Sequence, residues 1–130
     1  RISTEVWIMT NKYDSVKKLY KRQEELEQEY FSRKKDYDKT LEKIAEIDSD
    51  LNNIFYEVSD MTRQILGELE AQPESFSKVA QINERLNDQS KEVYQLQKQK
   101  LINGWEAYQK EYRKKQDLLE EEILKVRREK

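Results

Sequence analysis

The chain has no cysteine, no histidine, one proline and two glycines among its 130 residues. Each shortage excludes something. Without cysteine there is no disulfide framework and no thiolate metal or redox site, and a reducing compartment is permitted. Without histidine the commonest general base and the commonest metal ligand are both missing. So little glycine and proline cannot supply the turns of a sheet protein this long, which argues against all-β and α/β folds. No run of 18 apolar residues occurs, so no membrane insertion is expected. Val6-Trp7-Ile8-Met9 is too short for the apolar core of a signal peptide.

What is present is charge. Charged residues make up 40% of the chain and hydrophobic ones 35%, yet the formal net charge is only −2. Low hydrophobicity alone can mean disorder. Here the apolar residues recur at helical spacing, and heavy charge with a narrow apolar stripe is how a long exposed helix pair is composed.

The positions Val16, Leu19, Leu26, Tyr30, Tyr37, Leu41, Ile44, Leu51, Phe55, Val58, Ile65 and Leu69 are separated by 3, 4 or 7 residues. That alternation is a coiled-coil seam, and it predicts one helix over about 12–70. Residues 1–8 lack the charge pattern of the rest and read as an expression remnant or a disordered arm. Ala71-Gln72-Pro73-Glu74-Ser75 is the one strong punctuation. Proline suits the first turn of a helix, where its missing N–H would be unpaired anyway, and Glu74 suits the positive end of the helix dipole. A turn over about 71–75 and a second helix over about 74–128 follow. Asn103-Gly104 could break that helix. The favoured reading keeps it whole, with the glycine permitting close approach.

A short connection makes consecutive helices antiparallel neighbours. The fold class expected is therefore all-α: a long antiparallel two-helix hairpin, coiled-coil-like and similar to WXG-type proteins, forming a single domain over 9–130. With the bend at 72–73, residue i lies opposite about 145 − i. This pairs Leu69 with Phe76, Val58 with Leu86, Leu51 with Val93 or Tyr94, Tyr37 with Tyr108 and Leu26 with Leu118 or Leu119. A hairpin burying one stripe per helix is often marginal, because ordering each residue costs about 1–2 kcal/mol. A helical partner, either another protein or a second copy, is therefore expected.

Eight tyrosines and two tryptophans are many for such a chain. Tyr30, Phe31 and Tyr37 on the first arm, and Trp105, Tyr108 and Tyr112 on the second, fall in the open half of the hairpin. Phe55 and Tyr56 lie nearer its middle. Tyrosine and tryptophan are enriched at binding hot spots, so these eight residues are the candidate partner-binding set. The competing reading is wide-seam packing. The basic clusters, such as Arg33-Lys34-Lys35 and Arg113-Lys114-Lys115, are interleaved with acids. They read as solvated helix faces rather than as a nucleic-acid stripe. Neither a Gly-rich phosphate loop nor a Ser-His-Asp set can be assembled. The expectation is a non-enzymatic chain with no catalytic residues, no metal and no cofactor.

The tail WEAYQKEYRKKQDLLEEEILKVRREK and the opening TNKYDSVKKLYKRQEELEQEY resemble small helical accessory proteins encoded beside LXG-domain toxins, which serve the type VII secretion system of Gram-positive bacteria. The likeness covers most of residues 10–130 and consists of charged-helix pattern rather than a sharp motif. It implies a targeting factor, or chaperone, that binds the toxin's N-terminal helical LXG domain together with a second small helical factor. It further implies a cytoplasmic protein, with co-export alongside its partner as the open alternative. The WXG-type Trp-x-Gly turn is not reproduced: the turn holds Pro73, and Gly104-Trp105 has the wrong order and place. Tyr-x-x-x-acid strings at Tyr20–Glu24 and Tyr56–Asp60 resemble the export signal of such substrates but are no more frequent than composition gives. The alternative is a self-associating coiled-coil fragment of a longer cytoskeletal, motor or tethering protein.

Overall fold

A computed structural model describes residues 3–128. It contains two helices, α1 (Thr4–Glu68) and α2 (Pro73–Arg128), and among the described residues no strand. The all-helical two-helix hairpin is what the spacing and the lone proline demand.

The first helix starts earlier than expected, at Thr4 rather than near 12. Ser3 supplies the cap, its hydroxyl accepting a bond from the Val6 N–H at 3.2 Å, and Glu5 sits in the positively polarised first turn. The expectation of a disordered arm therefore fails for Thr4–Ile8.

Helix α1 ends in a Schellman motif. The Ala71 N–H reaches back to the Leu66 carbonyl at 2.9 Å, and the Glu70 N–H to that of Gly67 at 3.1 Å. Such a motif needs a left-handed residue, and here it is Glu70, at φ 53°. Glycine takes that conformation without the steric cost of a Cβ. Glu70→Gly is accordingly expected to raise stability by about 1 kcal/mol and the melting temperature by roughly 2–4 °C. Calorimetry of the full chain checks this. An unchanged or lower melting temperature would show that Glu70 is held by something other than the turn.

Helix α2 begins at Pro73, as the sequence predicts. It runs without interruption through Asn103-Gly104. The reason offered for that glycine does not hold, because a Cβ built on Gly104 meets nothing within 4 Å.

The chain divides into two compact units. One contains the residues up to Tyr37 and from Gly104 onward; the other is Asp38–Asn103. Both helices contribute to each unit.

Candidate helix-docking face

In the unit formed by the chain's two ends the seam is apolar and aromatic. Its most buried side chains are Leu26, 5% exposed, with Leu119 and Ile123 on α2. Tyr30 is the hub. Its ring centroid lies 4.4 Å from that of Tyr112, 5.4 Å from Trp105 and 6.2 Å from Tyr108. Gln109 Nε2 donates to its hydroxyl at 3.2 Å. Tyr37 stacks on Trp105 at 5.0 Å, and the Arg33 guanidinium lies 4.6 Å over the Tyr108 ring.

These contacts correct the register. Tyr37 meets Trp105 rather than Tyr108, so paired residue numbers add to about 142 instead of 145. The cause is the turn. Because α1 stops at Glu68 and α2 starts at Pro73, the bend is centred two residues earlier than the proline suggested. Of the two leucines offered as partners for Leu26, Leu119 is buried and Leu118 is 59% exposed.

Farther along the same unit, Lys12 Nζ donates to the Arg127 carbonyl at 2.8 Å, a cation placed where α2 leaves carbonyls unpaired. The Arg127 guanidinium donates to the Tyr20 hydroxyl. The Tyr108 hydroxyl has its pKa raised above 10.0, chiefly by burial and next by the Glu29 carboxylate. Tyr112 is raised by burial and then by Glu27. A raised acid pKa stabilises the folded state below the unfolded value, and that stabilisation is lost as pH climbs through the folded one. Through these two tyrosines the aromatic seam is sensitive to alkali above about pH 10.

Of the eight candidate binding residues, Tyr30, Tyr37, Trp105, Tyr108 and Tyr112 are half-buried and brought together in this one seam. Phe31 lies beside them, its ring edge-on to Tyr30, but is 67% exposed. Phe55 is half-buried in the other unit, and Tyr56 next to it is 76% exposed. The structure does not gather the eight into one surface.

The Asp38–Asn103 unit is built differently. From Asp48 to Leu66 on α1 the half-buried positions are Asp48, Asn52, Phe55, Ser59, Thr62 and Leu66. On α2 they include Val79, Asn83, Asn87, Ser90, Tyr94 and Lys98. Most of these are polar. Asn83 Nδ2 and Asn87 Oδ1 are buried with no hydrogen-bond partner, a state that costs about 1–3 kcal/mol per group.

Two rows of aliphatic side chains of this unit face outward, while Leu41, Ile44, Leu66, Val79, Leu101 and Ile102 are half-buried. Ile47, Leu51, Ile54, Val58, Met61 and Ile65 run along α1, with Leu69 just past its end, and are 36–72% exposed. Ile82, Leu86, Val93 and Leu96 do the same on α2. This overturns part of the expected seam: Leu41, Ile44, Phe55 and Phe76 are half-buried as expected, whereas Leu51, Val58, Ile65, Leu69, Leu86 and Val93 do not lie between the helices. Those residues do share one helical stripe, but it is not the stripe that faces the neighbouring arm.

The two outward stripes lie on one side of the unit. Leu51, Ile54, Val58 and Met61 each immediately precede a half-buried seam residue (Asn52, Phe55, Ser59, Thr62). Ile82, Leu86 and Val93 precede Asn83, Asn87 and Tyr94. One residue is a turn of about 100° in the same sense around each helix. In antiparallel helices, equal rotations of the same sense bring both stripes to the same face. Sequence reasoning missed this face because it followed apolar spacing alone. The signal was available in Asn52, Ser59, Asn83, Asn87 and Ser90, which form a second, polar series at the same 3–4 spacing.

The fold and this face define a class: a two-helix hairpin with an apolar side left open in one of its units. No protein-family model matches the chain, and no curated protein or solved structure matches it significantly. Among the described residues no helix is long and apolar enough to cross a membrane, and no three acidic side chains converge where a metal ion could be held.

Proposed function

We propose that the chain is a non-catalytic helical adaptor that works by adding its open apolar face to the helices of a partner. The observation that carries this reading is the partial inversion in the Asp38–Asn103 unit, where most half-buried positions between Asp48 and Leu66 and between Val79 and Lys98 are polar and two aliphatic rows face outward. A monomeric soluble protein rarely leaves a patch beyond about 300–600 Å² open, and larger ones mark interaction sites. Amphipathic helices lying in such a groove are read through anchors separated by three, four and seven residues, and Leu51, Ile54, Val58 and Met61 follow one another at steps of three and four.

The resemblance of the opening and the tail to accessory proteins of LXG toxins supplies the partner class. On this reading the chain binds the toxin's N-terminal helical domain, with a second small helical factor, and assists its type VII export. Mixing the purified chain with an LXG domain is expected to increase helical circular dichroism beyond the sum of the parts and to raise the melting temperature. Val58→Asp on the open face is expected to weaken that complex at least tenfold, since a charge buried in an apolar contact is heavily penalised. A mixture whose melting curves remain those of the separate proteins would overturn the assignment.

A further inference from the structure

We infer that, when no other partner is present, the open face of the Asp38–Asn103 unit is covered by a second copy of this chain, giving a two-fold four-helix bundle with both turns at the same end. The inference rests on reading this face as a helix-docking surface, and it names the occupant.

Area is the first reason. The exposed aliphatic side chains on the two stripes together leave on the order of 1,000 Å² open, above the roughly 800 Å² per partner that a stable interface buries. A single helix lying between the stripes would cover each only in part. A second two-helix layer of the same width covers both.

Symmetry is the second reason. A two-fold axis parallel to the helices lays α1 of one copy antiparallel over α2 of the other. It preserves height, so the level of each residue is fixed by the turn and cannot slide. With α1 ending at Glu68 and α2 starting at Pro73, residue i of α1 is level with about 141 − i of α2 in either copy. At that level Leu51 lies by Val93, Val58 by Leu86 and Met61 by Ile82, each within one helical turn of about 5.4 Å. These apolar pairs cannot form within one copy, because the side chains point out of the layer. They form between copies with a uniform offset of two to three residues, about 3–4.5 Å along the axis.

Charge is the third reason. Glu57 and Arg85 flank the stripes on opposite outer edges of one copy. The two-fold operation brings Glu57 level with Arg85 of the second copy, on the same edge. Flanking pairs of this kind set the choice and orientation of partners in coiled coils. One position opposes the pairing: Asp50 comes level with Glu92 of the second copy.

The test is the mass and dissociation constant of the full chain by sedimentation equilibrium, with far-ultraviolet circular dichroism as the folding control. The wild type is expected at twice 15.9 kDa. Glu57→Arg and Arg85→Glu are each expected to weaken the dimer about tenfold, and the double exchange to return it to within about threefold of wild type. Asp50→Lys, which removes the like-charge contact with Glu92, is expected to tighten it several-fold. All three substitutions are at exposed positions and should leave the helical signal unchanged.

A wild type that stays monomeric at about 100 μM overturns the inference, since a face of this size should close by then. So does a double exchange no tighter than either single one. A monomer that still gains helicity with an LXG domain would discard the second copy while leaving the adaptor reading intact. A dimer that never exchanges its copy for the toxin domain would do the reverse.

Discussion

Replacing Tyr30 by alanine is expected to destabilise the unit formed by the chain's ends by about 2–4 kcal/mol, near the lower part of the range for aromatic truncations in protein cores. The magnitude follows from what the ring touches. It packs on Tyr112, Trp105 and Tyr108 and accepts a bond from Gln109. Truncation leaves three rings facing a void that two helices cannot close from either side. Two companion changes separate the causes. Tyr30→Phe keeps the stacking and loses only the Gln109 bond, so it is expected to cost about 1 kcal/mol or less. Phe31→Ala removes an exposed ring in edge contact with Tyr30 and is expected to cost under about 1 kcal/mol. Native-state hydrogen exchange of amides near Leu26 and Leu119 reports the effect locally. A Phe31→Ala variant as damaging as Tyr30→Ala would show that the cluster is not organised around Tyr30.

The hairpin could be read from the chain with little help, because its determinants are local. Pro73 can open a helix but cannot sit within one. The apolar spacing of 3 and 4 admits few folds besides long paired helices. The register could be read only to within one turn, because it depends on where the backbone leaves the helix. Glu70 takes the left-handed position that a glycine would have announced, while Gly67, three residues earlier, remains helical. The aromatic residues were legible as a group but not by role. Spacing places Tyr30, Trp105 and Tyr112 near one another, yet it cannot say whether a wide ring faces the second arm or solvent. The inversion in the Asp38–Asn103 unit was the least legible feature. Apolar residues normally go inside, so Leu51, Val58 and Leu86 claimed the seam. A chain that completes its core with other helices breaks that rule on the face it reserves for them. In this unit each helix carries two stripes about 100° apart, an arrangement suited to a bundle of four helices rather than two.

The most stabilising change available follows from that inversion. Asn83→Leu combined with Asn87→Leu is expected to raise the stability of the Asp38–Asn103 unit by about 2–4 kcal/mol and its melting temperature by roughly 10 °C. Two terms contribute. The change removes the buried, unpartnered Asn83 Nδ2 and Asn87 Oδ1, and it adds apolar surface beside Phe55 and Val79 in a seam that has little. The same change should reduce specificity. A polar residue at a seam position fixes register and partner number at a cost in stability, so leucines at both sites should broaden the range of assemblies seen by sedimentation. If the asparagines exist to keep the arms from satisfying themselves, the double variant will also bind a helical partner less selectively, with its melting temperature rising less on complex formation than that of the wild type. A lower melting temperature for Asn83→Leu/Asn87→Leu would mean that the two amides are satisfied in solution, and that the polar stripe is a true interior of this hairpin.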